Sequence, residues 1–257
     1  MTTEPLNISV IVPCHNEAQN IPLLLQAIRE ALVPLGHVYE VIITDDASSD
    51  ESWQVLSDLS RSHPELVAQR LQENRGQSAA CWAGMMVARG DYLVTLDADL
   101  QNDPVDMPRL LEGLARADCV CGTRVESRSK GDNLVRVYSS RIANWVRNRL
   151  SGENISDAGC CYRAFRRECI GNLKYFRGMH RFLPTLFKIE GFSVVEVPVS
   201  TNPRRFGSAH YGVWNRLFAS FYDLLAVRWM QSRMGGYRVA ERVGGETRSG
   251  DAVRHDG

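Results

Sequence analysis

The sequence has no net charge of either sign, because its 30 Lys and Arg residues balance its 30 Asp and Glu residues. Overall charge therefore points to no charged partner, and we expect no binding to nucleic acid. Long apolar runs are also missing, since none approaches the ~18 residues that a membrane-spanning helix needs. The longest candidate, Leu217 to Met230, is interrupted by Asp223 and Arg228.

Short motifs that would indicate other classes of protein are absent as well. No Gly-x-Gly-x-x-Gly or Walker loop occurs, which excludes phosphate binding by a glycine-rich loop. The seven cysteines contain no Cys-x-x-Cys spacing, so we expect no zinc site. The polar start and the short apolar run after it differ from a signal peptide. We therefore expect a cytoplasmic, reducing location with mostly buried thiols.

What is present is an alternation of strand and helix periodicity through the first 122 residues. The pattern predicts strands at 8–12, 39–43, 67–71, 92–95 and 119–121. It predicts helices at 20–32, from a cap at 48–51 to about 61, and at 76–87 and 105–116. This alternation indicates an α/β fold whose mainly parallel central sheet has helices on both faces.

The pattern changes after residue 122. We expect a polar loop at 126–133, helices at 134–150 and 214–230, and strands within 157–165 and at 193–199. The prediction is one domain over 1–231, with a nucleotide-binding half (7–122) and an acceptor-binding, membrane-facing half (123–231). Residues 232–257 are Gly-rich and charged, which predicts a disordered tail.

The most informative segment runs from Leu96 to Pro104, directly after a predicted buried strand. Asp97 and Asp99 emerge two residues apart at the carboxyl end of that strand, where open α/β sheets bind ligands. Paired carboxylates there suit a divalent cation that also holds a pyrophosphate. The alternative is two surface aspartates that cap the next helix, and Gln101 with Asp103 in the same segment argues against it.

Two further loops, at 12–17 and 44–50, follow the first and second strands and reach the same edge of the sheet. A nucleotide needs acceptors for its base and ribose hydroxyls, and carboxylates at adjacent strand ends supply them. Either loop alone is weak evidence, because Asp46 and Ser48 would also serve as caps of the following helix. The three loops together predict a nucleotide site.

Positive charge is concentrated in the second half of the chain. Residues 124–149 contain seven Lys and Arg against two acids, and residues 201–238 contain six Arg against Asp223 alone. This asymmetry indicates an anionic ligand or surface that contacts the C-terminal half. The alternative for many of these arginines is a solvated helix face.

These motifs resemble those of the inverting family 2 glycosyltransferases of the GT-A fold, which is Rossmann-like. Within that group the chain is similar to polyprenyl-phosphate glycosyltransferases of the dolichol-phosphate mannose synthase type. The resemblance extends from about Ile8 to Met230. The matching segments are 12–17, 45–50, 74–76, 97–101, 122–124 and 205–207.

The resemblance implies roles for individual residues. The base and ribose would contact Pro13, His15, Glu17 and Asp46. The nucleotide would also contact Asp97 and Ala98, and Mg²⁺ or Mn²⁺ would be ligated by Asp99 and Gln101. The catalytic set would be Asp97, Asp99 and Asp157. The acceptor phosphate would contact Arg124, Arg136, Ser140 and Arg205.

Two points stay open in this assignment. Asp157 matches an acid placed near the acceptor, where it would act as a base or orient an arginine, and we weigh these equally. The family usually carries basic residues where this chain has Ser208, Ala209 and His210. That departure puts in doubt the phosphate contacts of this loop.

The resemblance also implies partners: a nucleotide-diphosphate sugar, a polyprenyl phosphate and a membrane surface. The apolar stripe of the helix at 214–230, flanked by arginines, predicts interfacial binding by C-terminal helices. The alternative is packing of this stripe on the sheet, on a second copy of the chain or on a separate transmembrane partner. We expect a peripheral protein on the cytoplasmic face of the membrane.

Three other functions compete with transfer to a polyprenyl phosphate. A family 2 glycosyltransferase with a saccharide acceptor would need a general base for a hydroxyl. A non-catalytic membrane scaffold would keep the fold without the chemistry. A nucleotidyltransferase also uses paired carboxylates and a metal, but the chain lacks a Gly-rich, Lys-bearing triphosphate loop near its start.

Overall fold

The computed structural model describes residues 7–124, 156–157, 159–203 and 213–233. Seven strands form one sheet in the order β3-β2-β1-β4-β6-β5-β7. The strands are β1 (Asn7–Cys14), β2 (Val38–Asp45), β3 (Leu66–Arg70), β4 (Tyr92–Thr95), β5 (Cys119–Thr123), β6 (Arg163–Arg166) and β7 (Val194–Pro198). The helices are α1 (Ile21–Leu32), α2 (Ser52–Ser60), α3 (Gln77–Val87), α4 (Met107–Gly113), α5 (Leu183–Ile189) and α6 (Val213–Arg233).

Strand direction places the candidate site. β1 pairs in parallel with β2 and β4, and β2 pairs in parallel with β3, so their carboxyl ends share one edge. β6 runs antiparallel to both β4 and β5. The chain leaves β5 and enters β6 at this same edge, so the residues just after β5 and just before β6 also lie there. The mainly parallel α/β sheet is confirmed.

Side-chain alternation along the strands gives the sheet two apolar faces. Ile8, Val10 and Val12 of β1 pack in one cluster with α1 and α4. Ile11 faces the other way and packs in a second cluster with α3, α5 and α6. Helices therefore cover both faces, as predicted.

Two of the differences between predicted and observed element boundaries involve proline. Pro13 was expected to end the first strand, but β1 continues to Cys14 beside β2. Proline is tolerated there because the pairing of β1 with β4 ends at Ile11 and Thr95. The predicted helix 105–116 is shorter, since a 3₁₀ turn at Pro104–Asp106 precedes α4, which ends at Gly113.

The C-terminal predictions are only partly within the described residues. α6 agrees with the helix expected at 214–230, and it includes residues 232 and 233, which we had assigned to the tail. Within the described part of the chain, no helix is long and apolar enough to cross a membrane. The predicted loop at 126–133, the helix at 134–150 and residues 234–257 lie outside the described residues.

The close approach of β4 to β1 depends on Gly90. A Cβ at this position would lie 2.6 Å from the Ser9 backbone nitrogen and 2.7 Å from the Ile8 carbonyl carbon. Because backbone atoms cannot move aside, we expect Gly90→Ala to lower the free energy of unfolding by about 2–3 kcal/mol. Urea denaturation measures this. Gly171→Ala is the control, since its Cβ meets nothing closer than 3.4 Å, and an equal loss in the control would contradict the explanation.

Candidate functional site

Three loops at the carboxyl edge of the sheet have backbone in the left-handed region. The non-glycine residues there are Asn16 (φ 57°), Ala47 (φ 52°) and Leu100 (φ 57°), one in each of the loops after β1, β2 and β4. Within the described residues, no other non-glycine residue has positive φ. Such conformations cost about 1 kcal/mol or more each and cluster at functional sites.

The loops after β1 and β2 are hydrogen-bonded to each other. The Asn16 side-chain oxygen accepts the N–H of Ser49 at 2.8 Å, and the Asn16 N–H donates to Ser48 Oγ at 2.9 Å. The Glu17 N–H donates to Ser52 Oγ at 2.9 Å. These bonds explain why α2 begins only at Ser52: the serines predicted to cap it are used between the loops.

Asp45 and Asp46 are adjacent but have different partners. The Asp45 side chain is fully buried, accepts the Ser48 N–H at 3.1 Å and pairs with Arg70 at 3.0 Å. Its contacts make it a structural residue of the β2 loop.

The Asp46 carboxylate holds the loop that precedes α3. Its two oxygens accept the N–H groups of Arg75 and Gly76, each at 2.7 Å. Gly76 has φ 86° and ψ 164°, a conformation essentially restricted to glycine. The segment 74–76, noted in the sequence only as a motif, is thereby fixed beside the first two loops.

His15 lies over this junction. Its Nδ1 is 3.0 Å from the Asp46 carbonyl oxygen. The Asn74 amide lies 3.2 Å from the same ring nitrogen and donates to the Asp46 carbonyl at 3.3 Å. The Glu17 carboxylate accepts from the Asn20 amide at 2.5 Å, at the start of α1.

The acidic loop after β4 presents its carboxylates differently. Asp97 is half-buried, and its Oδ1 accepts the Gln77 amide at 2.7 Å. Asp99 is 8% exposed, and its Oδ1 accepts the Gln101 N–H at 3.1 Å. Ala98, between them, is buried. The two aspartates therefore have separate surroundings, which fits separate roles.

The residues of this loop suit a hard divalent cation. The Asp99 carboxylate and the Gln101 amide offer oxygen ligands, as Mg²⁺ and Mn²⁺ prefer. Within the ranges that the structure describes, no group of three or more His, Cys, Asp or Glu could hold a metal. Mg²⁺ usually binds through one or two carboxylates together with waters and substrate phosphates, so the oxygens of this loop are of the kind that it binds.

The acidic loop is also attached to the segment after β7. The Asn202 N–H donates to the Gln101 carbonyl at 2.8 Å, and its side chain donates to Asp103 at 3.0 Å. The Ser200 N–H donates to Asp106 at 2.6 Å. The segment after β7 up to residue 203, which precedes the predicted phosphate ligand Arg205, is thus held next to the acidic loop.

Arg124 and Asp157 form a buried ion pair at the same edge. Arg124 Nε is 2.7 Å and Nη2 is 3.2 Å from the two carboxylate oxygens, and the residues are 7% and 5% exposed. Burial acts to lower the pKa of the Arg124 guanidinium, but the hydrogen bond that it donates to Asp157, together with the attraction of nearby negative charge, raises that pKa overall. Arg124 is therefore a permanently charged group with a fixed orientation.

The structure thus brings many of the predicted site residues to one edge of the sheet. The described ones are Pro13, His15, Glu17, Asp46, Asp97, Ala98, Asp99, Gln101, Arg124 and Asp157. Arg136, Ser140 and Arg205 lie outside the described residues, as does the Ser208–His210 departure. The roles of all these residues stay predictions.

The cysteines carry no chemistry at this edge. All seven are free, and Cys14, at the end of β1, is buried. Burial raises the pKa of the Cys14 thiol, so it stays protonated at neutral pH. The expectation of buried thiols holds for six of them, with Cys161 only half-buried.

Three polar residues near Asp97 were not predicted from the sequence to be site residues. Gln77 donates to Asp97, while Arg163 and His180 line the same small cavity as both of them. Gln77 had a signal, since it follows the Asn74–Gly76 motif at the start of a helix that points at the sheet edge. No pattern in the sequence indicated Arg163 or His180.

Comparison with known proteins agrees with this arrangement. The model of the family described as "Glycosyl transferase family 2" matches residues 9–173. The chain belongs to this family.

A relative from Pectobacterium carotovorum, named undecaprenyl-phosphate 4-deoxy-4-formamido-L-arabinose transferase, is 36% identical over 221 residues, covering 85% of this chain. A protein of the same name from Enterobacter sp. (strain 638) is 37% identical over 221 residues, also 85% of the chain. This family 2 chain spans 66% of the length of each relative.

Solved structures show the same fold. The mannosyltransferase PcManGT from Pyrobaculum calidifontis, in complex with GDP-Man and Mn²⁺, superposes with a TM-score of 0.61 at 22% identity, covering 91% of this chain and 66% of that one. Mannosyl-3-phosphoglycerate synthase from Rubrobacter xylanophilus gives 0.64 at 15% identity, covering 93% and 79%. The GT-A fold expected for this family 2 chain is confirmed.

The buried ion pair leads to a stability prediction. Asp157→Ala leaves the Arg124 guanidinium buried without its carboxylate, so we expect the free energy of unfolding to fall by about 3 kcal/mol. The control is Asp58→Ala, which breaks an exposed pair with Arg61 and should cost less than about 1 kcal/mol. Urea denaturation compares the two, and equal effects would contradict the burial argument.

Proposed function

We propose that this chain is an inverting glycosyltransferase that moves a sugar from a nucleotide-diphosphate sugar to a polyprenyl phosphate at a membrane surface. The observation that carries the proposal is one sheet edge that combines paired strand-end carboxylates with the buried Arg124–Asp157 pair. The first group suits a nucleotide and its metal, and the second suits an anionic acceptor. The relatives described above support the acceptor by their names.

The donor would lie across the loops after β1, β2 and β4. Pro13, His15 and Asp46 would contact the base and ribose, with Glu17 behind them at the start of α1. Asp97 and Ala98 would contact the rest of the nucleotide. Asp99 and Gln101 would hold Mg²⁺ or Mn²⁺, which supplies Lewis-acid stabilisation of the departing nucleoside diphosphate.

The acceptor phosphate would meet Arg124. Arginine suits a phosphate because its guanidinium is always charged and carries five N–H donors, more than the two that Asp157 accepts. A phosphate monoester has a second pKa near about 6, so it is largely ionised at neutral pH and needs orientation more than deprotonation. Both Asp157 oxygens already accept from Arg124, which favours the orienting role for Asp157 over the role of base. Arg136, Ser140 and Arg205 would complete the phosphate site.

The same ion pair separates the leading proposal from its rival. A saccharide acceptor carries a neutral hydroxyl, which needs a general base. Asp157 paired with a permanent cation is a weak base, so the pair favours an acceptor that is already ionised. A scaffold without catalysis has no specific observation in its favour.

Transfer to a lipid is tested by following labelled sugar. Purified protein is incubated with undecaprenyl phosphate, Mn²⁺ and radiolabelled UDP- or GDP-sugars, and we expect label in a product that extracts into organic solvent and is labile to mild acid.

Asp99→Asn should reduce the rate about 100-fold or more, because it weakens the metal site. Asp91→Asn, at the opposite edge of the sheet, is the control and should retain activity. Label in a water-soluble glycan would establish the rival acceptor, and full activity of Asp99→Asn would contradict the metal assignment.

Membrane association would involve α6. Among the α6 side chains that the structure describes (222–233), three large apolar or aromatic ones are exposed: Tyr222 (72%), Leu225 (44%) and Trp229 (63%). They lie next to Arg228 and Arg233 in the sequence. Exposed aromatic and apolar groups beside arginines suit the headgroup region of a bilayer with anionic lipids. We propose a peripheral protein on the cytoplasmic face, alone or with a homo-oligomeric or transmembrane partner.

Liposome flotation tests this association. We expect the protein to float with vesicles that contain anionic lipid, and Trp229→Glu to reduce the floating fraction several-fold, because it places a negative charge on the apolar surface. Val38→Glu is the matched control, since Val38 is also 63% exposed but lies at the start of β2. A wild-type protein that stays in the soluble fraction, or equal loss in both variants, would contradict a membrane role for α6.

A further inference from the structure

A cavity of about 10 Å³ lies beneath the acidic loop, between β4, β6 and the start of α3. We name it the floor cavity. The polar residues that line it are Gln77, Thr95, Asp97, Arg163 and His180. A volume of this size holds one water-sized group. Gln77 and Asp97 are half-buried, so the floor cavity adjoins the edge where the proposed donor would bind.

Arg163 supplies an unusual charge to this lining. It is 1% exposed, and its Nη1 donates to the His180 carbonyl at 2.8 Å. Its Nε and Nη2 have no oxygen or nitrogen acceptor within the described part of the chain, and the Cys121 thiol offers the guanidinium only a weak interaction. Because the guanidinium stays charged and buried unpaired donors are costly, this position favours an oxygen-bearing ligand beside it.

The orientation of the His180 ring is set by its contact with Ser78. The Ser78 hydroxyl oxygen accepts the Gly178 N–H at 2.9 Å and the His180 N–H at 3.5 Å, and lies 2.5 Å from His180 Nδ1. Because Nδ1 faces Ser78, the other ring nitrogen, Nε2, lies on the side of the ring away from Ser78.

Asp97 supplies an acceptor to the same lining. Its Oδ1 accepts from the Gln77 amide at 2.7 Å, and this bond fixes the carboxylate at the rim. The floor cavity therefore combines N–H donors with a carboxylate acceptor around a volume for one small polar group. A hydroxyl both donates and accepts, so it satisfies this combination.

We propose that the floor cavity binds one hydroxyl of the sugar that is transferred, and that His180 and Arg163 select the donor sugar through it. The inference rests on the proposed function, because it needs a nucleotide sugar at this edge. A site built to hydrogen-bond a hydroxyl discriminates strongly against an analogue that lacks it. The residues that select the donor sugar would thus lie beneath the acidic loop.

Calorimetry with two variants tests the proposal. Four probes are used, each with Mn²⁺: the nucleoside diphosphates UDP and GDP, and the nucleotide sugars UDP-glucose and GDP-mannose. His180→Asn keeps a polar group near the Nδ1 position but none near Nε2, whereas His180→Gln keeps an N–H near Nε2. We expect Asn to weaken binding of the nucleotide sugar about 10-fold while binding of the nucleoside diphosphate changes less than about two-fold. The Gln variant should retain most of the affinity, and His63→Asn, on the surface after α2, should bind like the wild type.

Deoxy analogues of the bound sugar provide a second measurement on the unmodified protein. Removing the hydroxyl that enters the floor cavity should weaken wild-type binding by a similar factor and have no further effect in His180→Asn. If no deoxy analogue is discriminated, the floor cavity holds a buried water only and the proposal is wrong. Equal weakening of UDP and UDP-glucose, or of GDP and GDP-mannose, in His180→Asn would assign His180 a purely structural role. Wild-type protein that binds none of the four probes would overturn the proposed function itself.

Discussion

The Asp46 carboxylate is the constraint on which the site depends. By accepting the N–H groups of Arg75 and Gly76, it joins the end of β2 to the start of α3. That start places Gln77 against Asp97 and Ser78 against His180. One buried carboxylate therefore fixes, through a short chain of hydrogen bonds, the loops that would hold base, pyrophosphate and sugar.

A second constraint comes from strand direction. Because β6 runs antiparallel to β4 and β5, the chain returns to the carboxyl edge just where it left, and Arg124 meets Asp157 there. Asp106 and Asp103 then hold the segment after β7 beside the acidic loop. The proposed donor and acceptor sites would thus be adjacent, which transfer between them requires.

The sequence predicted the parts of this site that local pattern encodes. Alternating apolar periodicity located the strands, and acids at the strand ends located the loops of Asp46 and Asp97. Arg163 and His180 were missed because their contacts join residues far apart in the chain: Ser78 and His180 are 102 positions apart. Such contacts depend on how β6 inserts into the sheet, which periodicity does not encode. The seven-residue helix α5 was not predicted either.

The central claim is that nucleotide and metal meet at the loops after β1, β2 and β4. A crystal structure of the protein with Mn²⁺ and UDP or GDP, phased to show anomalous scattering from manganese, tests it most directly. The account predicts one manganese peak about 2.0–2.3 Å from an Asp99 carboxylate oxygen and from the diphosphate, with the base beside His15. Manganese bound elsewhere, or a nucleotide away from this edge, would contradict it.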